Sequence, residues 1–158
     1  MDEIVEKAYH LFAKYSAERP LDICTDCCMS LENEALLARL PVKDIPKELL
    51  MEYNDGASTA NTPIDEVKHF LPRYIELACQ FDFPSHSSEL TFSKLETFVP
   101  DEWTKEERDF LNGFSHNFFK QALNHYRLPG NEEITSFLIM FWKAHFQIEN
   151  CLSNWLEN

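Results

Sequence analysis

Apolar residues recur every three or four positions through one segment after another of this chain, and that spacing commits it to helices. Ile4, Val5, Ala8, Leu11, Phe12 and Tyr15 trace one stripe, ended before Pro20. Val67, Phe70, Leu71, Tyr74, Ile75 and Ala78 trace a second, and Phe110, Leu111, Phe114, Phe118, Ala122 and Tyr126 a third that runs to a stop at Pro129-Gly130. The strongest comes last. From Ile134 through Phe137, Leu138, Phe141, Trp142, His145, Ile148, Cys151, Leu152 and Trp155 to Leu156 the spacing predicts one unbroken helix of about six turns. Eighteen Leu against twelve Val plus Ile, with three Gly, deny a sheet both its preferred residues and its hairpin turns. The expectation is an all-α, compact multi-helix domain of about seven helices, a bundle or a short stack of helix pairs. No fixed-period self-similarity supports a solenoid.

Local signals place the ends. Ser30 can cap a helix bearing Leu31, Ala35, Leu36 and Leu40, with Glu32 and Glu34 in its positive first turn and Pro41 as its stop. A short helix through Leu49, Leu50 and Tyr53 starts near Asp44 or Pro46 and ends at Asp55-Gly56, followed by a small-residue loop over 57–61. Thr62-Pro63-Ile64-Asp65 reads as a start, with Thr62 as N-cap, and Pro72 kinks or restarts the helix that follows. Residues 90–98 form a further short helix, and Thr104 with Glu107 forms a capping box. The clearest loop is 82–89. A single domain over 1–158 is expected, and a boundary between halves, where there is one, falls in that loop.

Charge restricts partners. Fourteen Lys plus Arg against 27 Asp plus Glu give a formal net charge of −13. Direct nucleic-acid binding draws on clustered cations and is disfavoured, whereas a basic protein partner would be steered in by this field. The acids are scattered along helices in the manner of a solvated surface. The first residues, Met-Asp-Glu-Ile-Val-Glu-Lys, lack the positive charge of a secretory leader, and Lys143, His145 and Gln147 interrupt the most apolar segment, so the chain reads as cytoplasmic, with no membrane span and reduced thiols.

Three of the five cysteines fall in Cys24-Thr25-Asp26-Cys27-Cys28. Cys24 and Cys27 have the spacing of one zinc-ligand pair and Cys28 offers a third thiolate, but structural zinc takes four ligands and no second pair exists. Completion would have to come through the fold, from Cys79, Cys151, His10, His69, His86, His116, His125 or His145. Packed reduced thiols and redox chemistry remain open beside zinc. A redox pair wants a lowered thiol pKa, whereas Asp22, Asp26, Glu32 and Glu34 surround the cluster with charge that raises it.

Glu66, His69 and Arg73 supply a second candidate, a small-ligand groove beside the Pro72 kink. Glu66 and His69 also have the Glu-x-x-His spacing of di-iron bundles, but no second copy occurs. His116 and His125 fall on different helix faces, and His145 on an apolar stripe reads as a core histidine. Gly-x-Gly-x-x-Gly, a Walker lysine loop, Gly-x-Ser-x-Gly and His-Glu-x-x-His are all absent, which disfavours the common nucleotide enzymes. The last segment is apolar around most of its circumference, which puts it at the centre of the domain or against a protein partner or a second copy.

The Cys-x-x-Cys-Cys cluster, Leu40-Pro41, and the run His69-Phe70-Leu71-Pro72-Arg73-Tyr74-Ile75-Glu76-Leu77 together resemble a family of uncharacterised bacterial proteins. The resemblance covers roughly residues 20–80 and departs at Asn61-Thr62-Pro63-Ile64-Asp65, where similar chains have an aromatic-Gly-Asp run. It implies a bacterial, cytoplasmic protein and brings no activity with it. The reading is a non-enzymatic, acidic protein-interaction module. Its alternatives are a zinc protein with a structural site at Cys24, Cys27 and Cys28, and a small-molecule binder or enzyme using Glu66, His69 and Arg73.

Overall fold

A computed structural model describes residues 1–58, 62–96, 100–125 and 127–157. Among these residues the chain is all-α, with seven α-helices, short 3-10 turns and no strand. None of the helices is long and apolar enough to cross a membrane. Backbone contacts divide the chain into two units, Asp2–His86 and Ser87–Asn158, the latter taking in Met1.

The first unit contains α1 (Asp2–Phe12), α2 (Leu31–Arg39), α3 (Lys47–Asp55) and α4 (Ile64–Cys79). Helix α1 packs along α4, and α2 on α3. Ala8 and Phe12 of α1, Leu49, Leu50 and Tyr53 of α3, and Val67, Phe70, Leu71, Tyr74 and Ile75 of α4 are buried, so the periodic stripes are the faces that leave water. Ser30 caps α2 by accepting from the Asn33 N–H at 3.1 Å, as its position predicts. Helix α4 runs through Pro72 without a break, and the proline ring is buried. Its N-cap is Pro63, one residue later than predicted, because the Thr62 hydroxyl donates to the Asp22 carboxylate instead of capping. Helix α1 ends at Phe12, so the cysteines lie in a long connection to α2.

The second unit contains α5 (Lys105–Leu123), α6 (Ile134–Lys143) and α7 (Glu149–Glu157). Thr104 and Glu107 form the predicted capping box. Phe92, Phe114, Phe118, Phe137 and Phe141 make a network of ring contacts with centroids 5.1–6.4 Å apart, mostly edge-to-face. Residues 88–95 form two 3-10 turns rather than one short helix; Thr97 and Phe98 from that expectation lie outside the described residues. So do Thr59, Ala60 and Asn61 of the expected loop, and Tyr126 at the end of the third stripe.

The unbroken final helix is corrected. Residues 134–157 form two helices, separated at His145, whose φ is +60°. The Phe146 N–H bonds Phe141 O at 3.0 Å and the His145 N–H bonds Trp142 O at 3.0 Å, a Schellman stop with the Phe141 and Phe146 rings stacked across it at 5.8 Å. Helix α4 ends in the same way, with Phe81 at φ +56° and bonds from Phe81 N to Ala78 O and from Asp82 N to Leu77 O. In both places a bulky residue takes the left-handed position that glycine ordinarily fills.

Candidate metal centre

The connection from α1 to α2 is held by the first turns of two helices. Leu21, Ile23 and Met29 bury their side chains, and burial obliges the neighbouring backbone N–H groups to find partners. Leu21 N–H donates to Glu34 Oε1 at 2.9 Å, and Asp22 N–H donates to Glu66 Oε1 at 3.1 Å. Glu34 and Glu66 are themselves buried, but each sits in the positive first turn of its helix, which offsets part of the cost of burying a carboxylate. Arg19 adds an ion pair to Glu34, and the Tyr53 hydroxyl donates to Glu66 at 2.6 Å. Cys24 N–H then donates to Ala57 O at 2.8 Å, just past the end of α3.

From this frame the chain makes one turn, closed by the Cys28 and Met29 N–H groups on Cys24 O at 3.3 and 3.1 Å. That turn gathers the thiols. Cys27 Sγ lies 3.4 Å from Cys24 Sγ and 3.4 Å from Cys28 Sγ, and all three sulfurs fall within 4.8 Å of one another. Zn–S bonds of about 2.3 Å in a tetrahedral arrangement separate sulfurs by about 3.8 Å, so a zinc ion requires the pairs to spread by a few tenths of an ångström. Cys27 is exposed, and Cys24 and Cys28 are half-buried, which leaves the sulfurs open to an ion from solvent.

The thiols do not titrate alike. Cys24 is pulled below its ordinary value by the hydrogen bond from Cys27, helped by the backbone N–H groups of Asp26 and Cys27. Cys27 is pushed up to about 12, first by its hydrogen bond to Cys28 and then by that to Cys24. The expectation that the surrounding acids set the thiols is therefore corrected: Glu34 is paired with Arg19, Asp22 accepts from Thr62, and hydrogen bonds among the thiols come first in shifting both Cys24 and Cys27. Cys79 and Cys151 stand outside the cluster. Burial pushes their thiols up to about 12 and about 11, and Cys151 Sγ points at Ser115 O at 3.8 Å.

Gly56 fits the cluster to the end of α3. A Cβ on Gly56 would lie 2.1 Å from Ile23 Cδ1, 2.8 Å from Glu52 O and 3.2 Å from Cys28 Cβ, so the cysteine turn packs directly on a bare backbone. Beside it opens a cavity of ≈ 250 Å³ lined by Cys28, Met51, Glu52, Asp55, Gly56 and His86.

Glu66, His69 and Arg73 each have separate partners. Glu66 holds Asp22 and Tyr53; His69 Nδ1 donates to Tyr15 O at 2.9 Å; Arg73 donates through Nε to Ile45 O at 2.9 Å and through Nη1 to Glu76 at 2.6 Å. Asp55 and Gly56 carry no motif and read in sequence only as a helix stop. No protein-family model, curated protein or solved structure matches the chain.

Proposed function

We propose that this chain is a zinc protein in which Cys24, Cys27 and Cys28 hold a structural ion. The convergence of three thiol sulfurs within 4.8 Å supports the reading. Zinc suits such a donor set because thiolates are soft, charged ligands, and the ion's charge favours the deprotonated form of each. Binding releases the three thiol protons to solvent as Zn–S bonds form. The backbone is already arranged for this, since the N–H groups of residues 21, 22 and 24 have partners before any ion arrives. An ion would fasten the connection between α1 and α2 into one rigid turn against the end of α3.

Metal analysis of the freshly purified full chain, with a thermal melt in chelator, tests the proposal. Near-stoichiometric zinc and a lowered melting temperature in chelator are expected. A metal-free chain whose melt chelator leaves unchanged removes the reading.

The protein-interaction reading retains one observation of its own. Trp142 is 65% exposed and Leu156 88%, with Ile139, Leu152 and Trp155 also exposed on α6 and α7. Light scattering tests its simplest form, a homodimer; a monomer at high concentration removes that form.

A further inference from the structure

Three thiolates leave a tetrahedral zinc one ligand short, and the structure narrows the choice of the fourth. His86 lines the same cavity as Cys28, and its Nδ1 lies 2.9 Å from Asp55 Oδ2. We propose that His86 completes a Cys3His zinc site through Nε2, with Asp55 as the positioning residue that holds its ring. The proposal rests on the zinc reading above.

The path of the chain brings His86 to this place. After α4 the left-handed Phe81 turns the backbone, and Asp82 pairs with Lys47, the first residue of α3. Phe83 is buried, and His86 pairs with Asp55, the last residue of α3. Segment 82–86 therefore runs along α3 from its start to its end. The end of α3 is also where Gly56 meets Cys28, so one short stretch of backbone, Asp55-Gly56, supports both the thiol turn and the imidazole.

The pairing has the chemistry of a ligating histidine. A metal-bound imidazole donates its other N–H to a carboxylate, which fixes the tautomer and makes the ligating nitrogen more basic. Here Asp55 takes Nδ1–H and Nε2 is the nitrogen left for the ion. The two groups differ in exposure: the Asp55 side chain is 16% exposed and that of His86 77%. The group of donor atoms within 4.8 Å of one another holds the three sulfurs and not His86, so ligation requires the imidazole to close on them when the ion binds. Charge selects the imidazole over the carboxylate as the direct ligand. Three thiolates already exceed the charge of a divalent ion by one, and a fourth anion would deepen that excess in a chain of net charge −13. A neutral imidazole does not.

The test uses the full chain, stripped of metal and titrated with Zn(II) and with Co(II) as a spectroscopic probe. Wild type is expected to bind one ion, with sulfur-to-cobalt charge transfer, tetrahedral d–d bands, and an imidazole signature in zinc X-ray absorption. His86→Ala and His86→Gln are expected to keep the sulfur-to-cobalt bands, lose the imidazole signature, shift the d–d bands and bind Zn(II) at least tenfold more weakly. Asp55→Asn is expected to keep the imidazole signature and weaken Zn(II) binding by roughly 10- to 100-fold. His86 variants with the wild-type spectrum and affinity overturn the assignment of His86 alone. A wild-type chain that takes up neither ion overturns the zinc reading, and His86 with it.

Discussion

Gly56→Ala isolates the contact on which the thiol turn rests. The added methyl would sit 2.1 Å from Ile23 Cδ1, where unstrained carbon atoms approach to about 3.5–4.0 Å. Ile23 is 3% exposed and has little room to withdraw, and the second contact, 2.8 Å to Glu52 O, is with backbone that also accepts the Gly56 N–H. Overpacking of this kind costs about 1–3 kcal/mol. For a chain of this size each kcal/mol lowers Tm by roughly 2–4 °C. Far-UV circular dichroism of the metal-free chain measures the change, and a double-mutant cycle assigns its cause. Ile23→Val deletes Cδ1 at a cost of about 0.5–1.5 kcal/mol by itself. In that background the cost of Gly56→Ala is expected to fall by at least about 0.5 kcal/mol, the coupling shown by residues in contact. Zn(II) affinity is expected to fall in Gly56→Ala as well, because Cys28 Cβ lies 3.2 Å from the new methyl. A Gly56→Ala chain as stable as wild type, or one whose cost is the same in the Ile23→Val background as in the wild-type one, refutes the claim that this contact seats the turn.

Rapid thiol labelling of the native, metal-free chain near neutral pH is expected to modify Cys24 first, since its thiol is held below the ordinary value, and to spare Cys79 and Cys151, which burial holds up at about 12 and about 11; mass spectrometry of the peptides checks this, and added Zn(II) should protect the cluster. Burial pushes the Glu34 carboxyl up, but hydrogen bonds from Arg19 and the Leu21 N–H outweigh it, so its folded pKa lies below the ordinary 4.5. A depressed carboxylate stabilises the fold above its unfolded pKa and loses that contribution as pH falls through the folded one, so stability should decline below about pH 4.5, less steeply in Glu34→Gln, as acid melts would show. Phe141→Ala removes a ring that is 0% exposed and touches Phe92, Phe114, Phe118 and Phe146, and a loss of about 3–5 kcal/mol is expected in urea unfolding.

Helices were legible where the information was local. Ser30 and the Thr104–Glu107 box act over three residues, and the structure uses both as the pattern predicts. The break at His145 was hidden because neither Gly nor Pro announces it. Apolar spacing continues across it, since Phe146 must be apolar to stack on Phe141, and the same residue that sustains the stripe also closes the Schellman stop. At Thr62 a correct local signal lost to a tertiary one: the hydroxyl that would cap α4 serves Asp22, 40 positions earlier.

The candidate site shows the same division. Three thiols in five residues are brought together by a single turn, so their meeting depends on little beyond the turn itself. Glu66 stands out in sequence for its place beside His69 on a helix face, yet its carboxylate points at Asp22 and Tyr53 and anchors the stretch of chain that leads into the cysteines. Its role was invisible because it depends on a partner 44 residues away. If that anchoring is what keeps the sulfurs gathered, Glu66→Gln should weaken Zn(II) binding although Glu66 is no ligand. Glu66 Oε1 accepts from both the Tyr53 hydroxyl and the Asp22 N–H, and Oε2 accepts from the Asp22 N–H as well, at 3.3 Å. The amide keeps one acceptor oxygen but sets an NH2 donor against that N–H in place of Oε2 and removes the charge that strengthens both bonds. The weakening should appear with an unchanged Co(II) spectrum, since the ligand set is intact and only the arrangement of the turn before binding is relaxed. An affinity equal to wild type in a folded Glu66→Gln chain would show that residues 24–28 hold their turn without help from α4.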